Sequence, residues 1–207
     1  TRYPATVMPN YSVSKAYQIM TEGHYSQLPV VDSDNKLIGL VTEKLLAEVN
    51  PSSATSLSVY EINYLLSKTK VQDIMKTGIF KINKDALIED AAIIMKENRI
   101  SSLPVIEGDN YLAGIITRTD IFKAFIDIMG VKATGTRIAI TTEDKVGVLA
   151  DITSILAEHN INIRNITDIS ENGKSEITIK VRSLDASAAI EDIKAKGYNV
   201  TSVITVH

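Results

Sequence analysis

Cysteine is absent from this sequence, and with it disulfides, a thiol nucleophile and any thiolate metal site. Histidine occurs three times, at His24, His159 and His207, with no metal-ligand spacing. There is no basic excess: the net charge is −3, whereas a nucleic-acid surface wants a surplus of Lys and Arg. No apolar run approaches a membrane span, and the start, Thr1-Arg2-Tyr3-Pro4, lacks a secretory pattern. The expectation is a soluble cytoplasmic chain with no nucleic-acid or membrane partner and no metal. What remains is ordinary: 44% apolar and 23% charged residues, over a length of 207 that suits one large domain or two to three small ones.

The most informative stretch is Gly114-Ile115-Ile116-Thr117-Arg118-Thr119-Asp120, which reads as the end of a buried strand turning into a helix. Thr117 stands at the cap position, and the apolar run Ile121 to Ile126 comes after it. Asp120 comes one turn later and faces the same way. A carboxylate only accepts hydrogen bonds and a ribose diol donates them, so Asp120 could hold a sugar while the corner holds a phosphate. The same residues also read as a capping box that merely starts a helix.

A repeat supplies context. Thr42 and Thr117 lie 75 residues apart, and the same shift carries Val7 onto Ile82, Ala16 onto Ala91, Met20 onto Met95, Leu28-Pro29-Val30-Val31 onto Leu103-Pro104-Val105-Ile106, and Gly39 onto Gly114. Each copy reads as short strand, helix, strand, turn, strand, helix. In the first copy the helix spans Ser12 to Glu22, with Val13, Ala16, Tyr17, Ile19 and Met20 as its core-facing stripe. Asp32-Ser33-Asp34-Asn35 is a hairpin turn; it lacks the Gly and terminal Glu of a calcium loop. In the second copy the helix spans Ile88 to Asn98.

This duplicated pattern, Ser-x-Leu-Pro-Val, an acidic turn, then Leu-x-Gly-x-x-Thr-x-x-Asp, resembles a pair of cystathionine-β-synthase (CBS) domains over residues 1 to about 130. The resemblance implies a regulatory module that binds an adenine nucleotide or S-adenosyl compound in two shared clefts. One cleft would use Ala5, Tyr25, Ser26, Leu28 and Pro29 beside Thr117, Arg118 and Asp120. The second would use Phe80, Ile100, Ser101, Leu103 and Pro104 beside Thr42. Leu45 stands where the second cleft needs an acid, so it should bind weakly, differently or not at all. Tyr25 could pack on adenine or on its own core, and Arg118 could pair with phosphates or be solvated.

Residues 51–70 form a linker between copies at 1–50 and 71–130. Ala54 to Leu66 reads as a helix with a capping box at Ser58 and Glu61, and Tyr60 and Tyr64 lie one turn apart. This insert resembles that of acetoin-utilisation (AcuB-type) proteins. The counterpart of Val71 to Met75 would precede Thr1, so a leading segment is expected there.

Beyond a linker at 131–135, the periodicity of 136–207 reads βαββαβ, with an Asn172-Gly173 hairpin and a Gly197 stop. It resembles an ACT domain, a ferredoxin-like amino-acid-sensing fold. The resemblance places ligand groups at Asp144, the Gly147 backbone and Asn162; equally, Asp144 and Asn162 cap turns. The fold class expected is therefore α+β: two tandem CBS repeats (βαββα) and a C-terminal ACT domain. Nothing beyond Asp120 converges as catalysis requires. The function expected is a non-catalytic, homodimeric sensor of adenine nucleotide, with no required cofactor and a link to acetoin or related carbon metabolism; the alternative is an amino-acid sensor that uses the CBS pair as scaffold.

Overall fold

From the bridge at Val7 and the strand at Ile82 onward, the two copies repeat in order at the 75-residue offset. The computed structural model describes residues 3–49, 64 and 66–207. In the first copy Val7 bridges to Val30 in parallel, and after it come α1 (Val13–Gly23), β1 (Gln27–Val31), β2 (Leu37–Thr42) and α2 (Glu43–Val49). The second copy runs α3 (Val71–Ile74), β3 (Ile82–Asn83), α4 (Ile88–Glu97), β4 (Ser102–Glu107), β5 (Tyr111–Thr117) and α5 (Arg118–Ile128). β3 lies parallel to β4, matching Ile82 with Val105 as Val7 is matched with Val30. The expected linker helix, with Ser58, Tyr60 and Glu61, falls outside the described residues; Tyr64 is exposed.

Local chemistry explains the boundaries. The Ser12 hydroxyl accepts the Lys15 N–H at 3.2 Å and starts α1, and His24 at φ 52° closes it in the left-handed region. Val13, Ala16 and Met20 are buried one turn apart, and Ala91 and Met95 repeat this on α4. Tyr17, expected on the apolar stripe of α1, is instead turned to solvent, because it stands one residue, about 100°, past Ala16. Glycine is required at 39: a Cβ there would come 2.7 Å from the Met75 sulfur and 3.0 Å from the Lys76 carbonyl oxygen. That close approach lets Leu40 and Lys76 exchange two backbone hydrogen bonds of 3.0 Å.

The two hairpin tips are bonded to each other. Leu37 N–H donates to the Asn110 carbonyl at 2.9 Å, and Leu112 N–H to the Asn35 carbonyl at 3.0 Å. The Asn35 carboxamide donates to the Leu112 carbonyl at 3.2 Å, and Asn110 returns the bond to Leu37. Beneath them Val31, Leu37 and Leu112 form a small buried cluster with Ile79 and Ile106.

The remaining elements are β6 (Gly135–Glu143), α6 (Val148–Glu158), β7 (Ile163–Glu171), β8 (Lys174–Val181), α7 (Ser187–Ala195) and β9 (Asn199–Val206). The sheet order is β7-β8-β6-β9, all antiparallel. Ile138, Ile140, Ile177 and Ile179 alternate onto one face and bury Ile152, Leu156 and Ile193 of the two helices. Asn172 and Gly173, at φ 53° and 76°, make the tight turn between β7 and β8.

The chain divides into compact units Thr1–Ile121 and Phe122–His207. The division falls inside α5, ahead of the linker expected at 131–135. The end of α5 is held within the second unit, where the Asn165 carboxamide donates to the Ile128 carbonyl at 3.0 Å. The apolar run of α5 buries none of its residues, and Phe122, Phe125 and Ile128 are exposed.

Candidate functional site

The corner between β5 and α5 is a closed hydrogen-bonded unit. Thr117 donates its N–H (2.9 Å) and its hydroxyl (2.8 Å) to one carboxylate oxygen of Asp120, and the Asp120 N–H returns a bond of 3.2 Å to the Thr117 oxygen. This is the reciprocal cap that the spacing offered as one reading. It also fixes the direction of the carboxylate. Asp120 is half-buried and lines an open cleft of about 810 Å³ together with Tyr3, Lys84, Asp85, Gly114 and Ile115. Lys84 pairs with Glu107, whose hydrogen bond raises the ammonium above its ordinary proton affinity. The cleft thus joins an acceptor at one point to a charged lysine at another, between aliphatic walls.

The first copy has half of this corner. Leu45 N–H donates to the Thr42 hydroxyl at 3.3 Å, and leucine returns nothing. The backbone around both corners is otherwise the same: Glu43 N–H reaches the Ser26 carbonyl at 2.9 Å, and Arg118 N–H reaches the Ser101 carbonyl at 3.0 Å. In each copy the residue after the corner threonine is thus tied to the serine just ahead of the facing strand.

Several expected wall residues are taken up by packing. Leu28, Pro29, Leu103 and Pro104 are buried; Leu28 and Leu103 are fully so, in the two copies' cores. Ala5 and Ile100 pack against those same cores, and the Tyr25 ring lies tight over Gly23. Ser26, Ser101 and Phe80 are exposed. None of these lines the Asp120 cleft. The Arg118 guanidinium is turned to the Ile100 carbonyl, which it reaches through Nε at 3.2 Å. Sequence reasoning missed Tyr3, Lys84 and Asp85. The repeat could not find Lys84, because its counterpart is Pro9. It also missed Ser102, the ladder partner of Thr117, whose buried hydroxyl has no hydrogen-bond partner.

A second cavity, of about 340 Å³, lies under the loop that joins β6 to α6. Asp144 and Gly147 line it with Asp168, Ser175 and Ile177, and the Ser175 hydroxyl donates to the Asp168 carboxylate. Gly147, at φ 98°, caps α6 and turns the loop over the cavity. Asn162 is not part of this cavity. It lies past the far end of α6, whose 11 residues span about 16 Å at 1.5 Å per residue, and its carbonyl accepts the Arg182 N–H at 2.9 Å. Asp144 and Asn162 thus lie at opposite ends of α6. Among the described residues no cluster of three acids or histidines could hold a metal, and no helix is long and apolar enough to cross a membrane.

Comparison with known proteins fits this architecture. The CBS-domain family model matches residues 1–50 and 71–127, and the ACT-domain model matches 136–198. Among solved structures, a Vibrio cholerae protein assigned to acetoin utilization (AcuB) is 27% identical with a TM-score of 0.53, covering 63% of this chain and 89% of that one. CBSX2 from Arabidopsis thaliana, solved in complex with AMP, is 29% identical with a TM-score of 0.52, covering 61% of this chain and 90% of that one. The chloroplastic CBS domain-containing protein CBSX1 of Arabidopsis thaliana is 33% identical over 139 residues, covering 59% of this chain. The present chain spans 59% of that relative's length.

Proposed function

Because this chain belongs to the CBS-domain family and carries an ACT domain, we propose that it is a non-catalytic sensor whose Asp120 cleft takes an adenine nucleotide. The observation that carries this reading is the asymmetry between the corners: the second copy alone has an acid three residues after its corner threonine, and that acid lines the 810 Å³ cleft that also holds Lys84. In this reading Thr117 holds the carboxylate in place so that it accepts the ribose hydroxyls, and Lys84 turns from Glu107 toward a phosphate. The orphan Ser102 hydroxyl adds a donor near the same corner. The AMP complex of CBSX2 supports the choice of adenosine phosphates, and the likeness to the Vibrio cholerae protein supports a link to acetoin or related carbon metabolism.

A bound ligand shifts the chain between arrangements only by its differential affinity for them. The protein would work as a homodimer, which light scattering with and without nucleotide tests. Calorimetric titration with AMP, ADP and ATP tests the site: the intact protein binds, and Asp120→Ala does not. Unchanged affinity in that variant removes the assignment.

A second reading rests on the cavity under the β6–α6 loop. Asp144 and Asp168 would suit the ammonium group of an amino acid, while the Ser175 hydroxyl is already committed to Asp168. A thermal-shift screen of the common amino acids separates the two readings, since a ligand that binds the folded state raises its melting temperature.

A further inference from the structure

Lys180 sits on the face of the β7-β8-β6-β9 sheet that points away from its helices, yet it is only 1% exposed. Its ladder neighbours are Arg137 on β6 and Asn165 on β7. Arg164 occupies the bulge between Ile163 and Asn165, and its side chain runs beside Gly130. The Lys180 ammonium makes one hydrogen bond, a long one of 3.3 Å to the Gly135 carbonyl, and an ammonium has three donors. Among the described residues no carboxylate lies within the 4.0 Å of an ion pair from Lys180, Arg137, Arg164 or Lys132.

Such an arrangement is unfavourable unless something answers it. A buried cation needs a counter-charge or must give up its proton, and two guanidiniums beside it worsen its position. Burial first, then Arg137 and Arg164, lower the proton affinity of Lys180 below the ordinary lysine value. Next to this cluster is a cavity of about 340 Å³, lined by Arg164, Lys132, Gly130, Ala133, Ile126 and Asp127, with Ile128 at its edge. Asp127 is the acid of this cavity, and it forms no ion pair with either cation there.

We propose that this cavity binds a phosphate-class dianion, gripped by Arg164 and Lys132 and drawn in by the field of Lys180 and Arg137. Arginine and lysine supply the fork and the point charge that phosphate oxygens accept. The anion would neutralise a face that the chain itself leaves positive. This site is separate from the Asp120 cleft and from the cavity under the β6–α6 loop, and does not rest on either being occupied.

The test is melting temperature against inorganic phosphate, exchanged for chloride at constant ionic strength, in the full chain. The native protein should show a saturable rise, whereas Lys180→Met should melt higher without phosphate and lose the rise. Arg164→Gln should weaken phosphate binding about tenfold or more. β-Glycerophosphate in a parallel arm identifies the source: a rise with inorganic phosphate alone assigns the free ion, and a rise with the ester assigns a phosphorylated metabolite. Absence of a saturable rise with both anions in the native protein would falsify the site. So would a phosphate affinity kept within about twofold in both variants.

Discussion

The two CBS copies share a backbone and differ in the side chain that closes the corner. Thr42 and Thr117 occupy the same place, each beside its own serine carbonyl, but Thr117 has Asp120 where Thr42 has Leu45. A duplicated fold, then, need not duplicate its chemistry. The core keeps both copies standing, while a single side chain decides which corner carries a carboxylate.

The broadest check on that equivalence is in the cores. Leu28→Ala and Leu103→Ala remove side chains that are both fully buried at matching positions, so each should cost about 2–5 kcal/mol in denaturant unfolding. Unequal costs would break the symmetry of the scaffolds. Next in size is ligand linkage: at a hundredfold excess over Kd, nucleotide should stabilise the native protein by about 2.7 kcal/mol, and Asp120→Ala should lose that gain. The reverse exchange sharpens the contrast. Leu45→Asp gives the first copy the missing acid, and calorimetry should then find a second, weaker nucleotide per chain.

Smaller effects concern the caps. Thr117→Ala should cost about 1 kcal/mol or somewhat more, and Thr42→Ala less, because the Thr117 hydroxyl makes two bonds with Asp120 where the Thr42 hydroxyl accepts one. The smallest is electrostatic. Lys36 on the first copy pairs with Asp109 on the second, and that hydrogen bond holds the Asp109 carboxyl below its ordinary range. A carboxylate with a lowered folded pKa stabilises above its unfolded value and loses that stability as pH falls through the folded one. Acid unfolding of Lys36→Met should therefore be slightly less steep than that of the native chain.

The repeat is legible in the sequence because a fixed offset records itself in every matching residue, from Val7 and Ile82 to Thr42 and Thr117. The corner is legible for a related reason: capping and strand-end signals are local. The cleft is not. Tyr3, Lys84 and Asp85 reach Asp120 only through the fold, and none has a counterpart of its own kind 75 residues away. The family resemblance makes Leu28 and Leu103 ligand walls, and both side chains lie in the cores of their copies. In the second unit the loop at Asp144 and Gly147 lies beside a cavity, whereas Asn162, grouped with it for standing at a strand start, is at the opposite end of α6. Lys180 gives no warning, because a lysine on a strand's outer face ordinarily reaches water.

The handshake of Asn35 with Leu112 and Asn110 with Leu37 has a consequence for ancestry. Both halves of that clasp are written into one repeat, since Asn110 and Leu112 are images of Asn35 and Leu37. A single repeat, released from its sister, would carry everything needed to clasp another of its own kind. Gene fusion would then have made permanent a partnership that once depended on concentration.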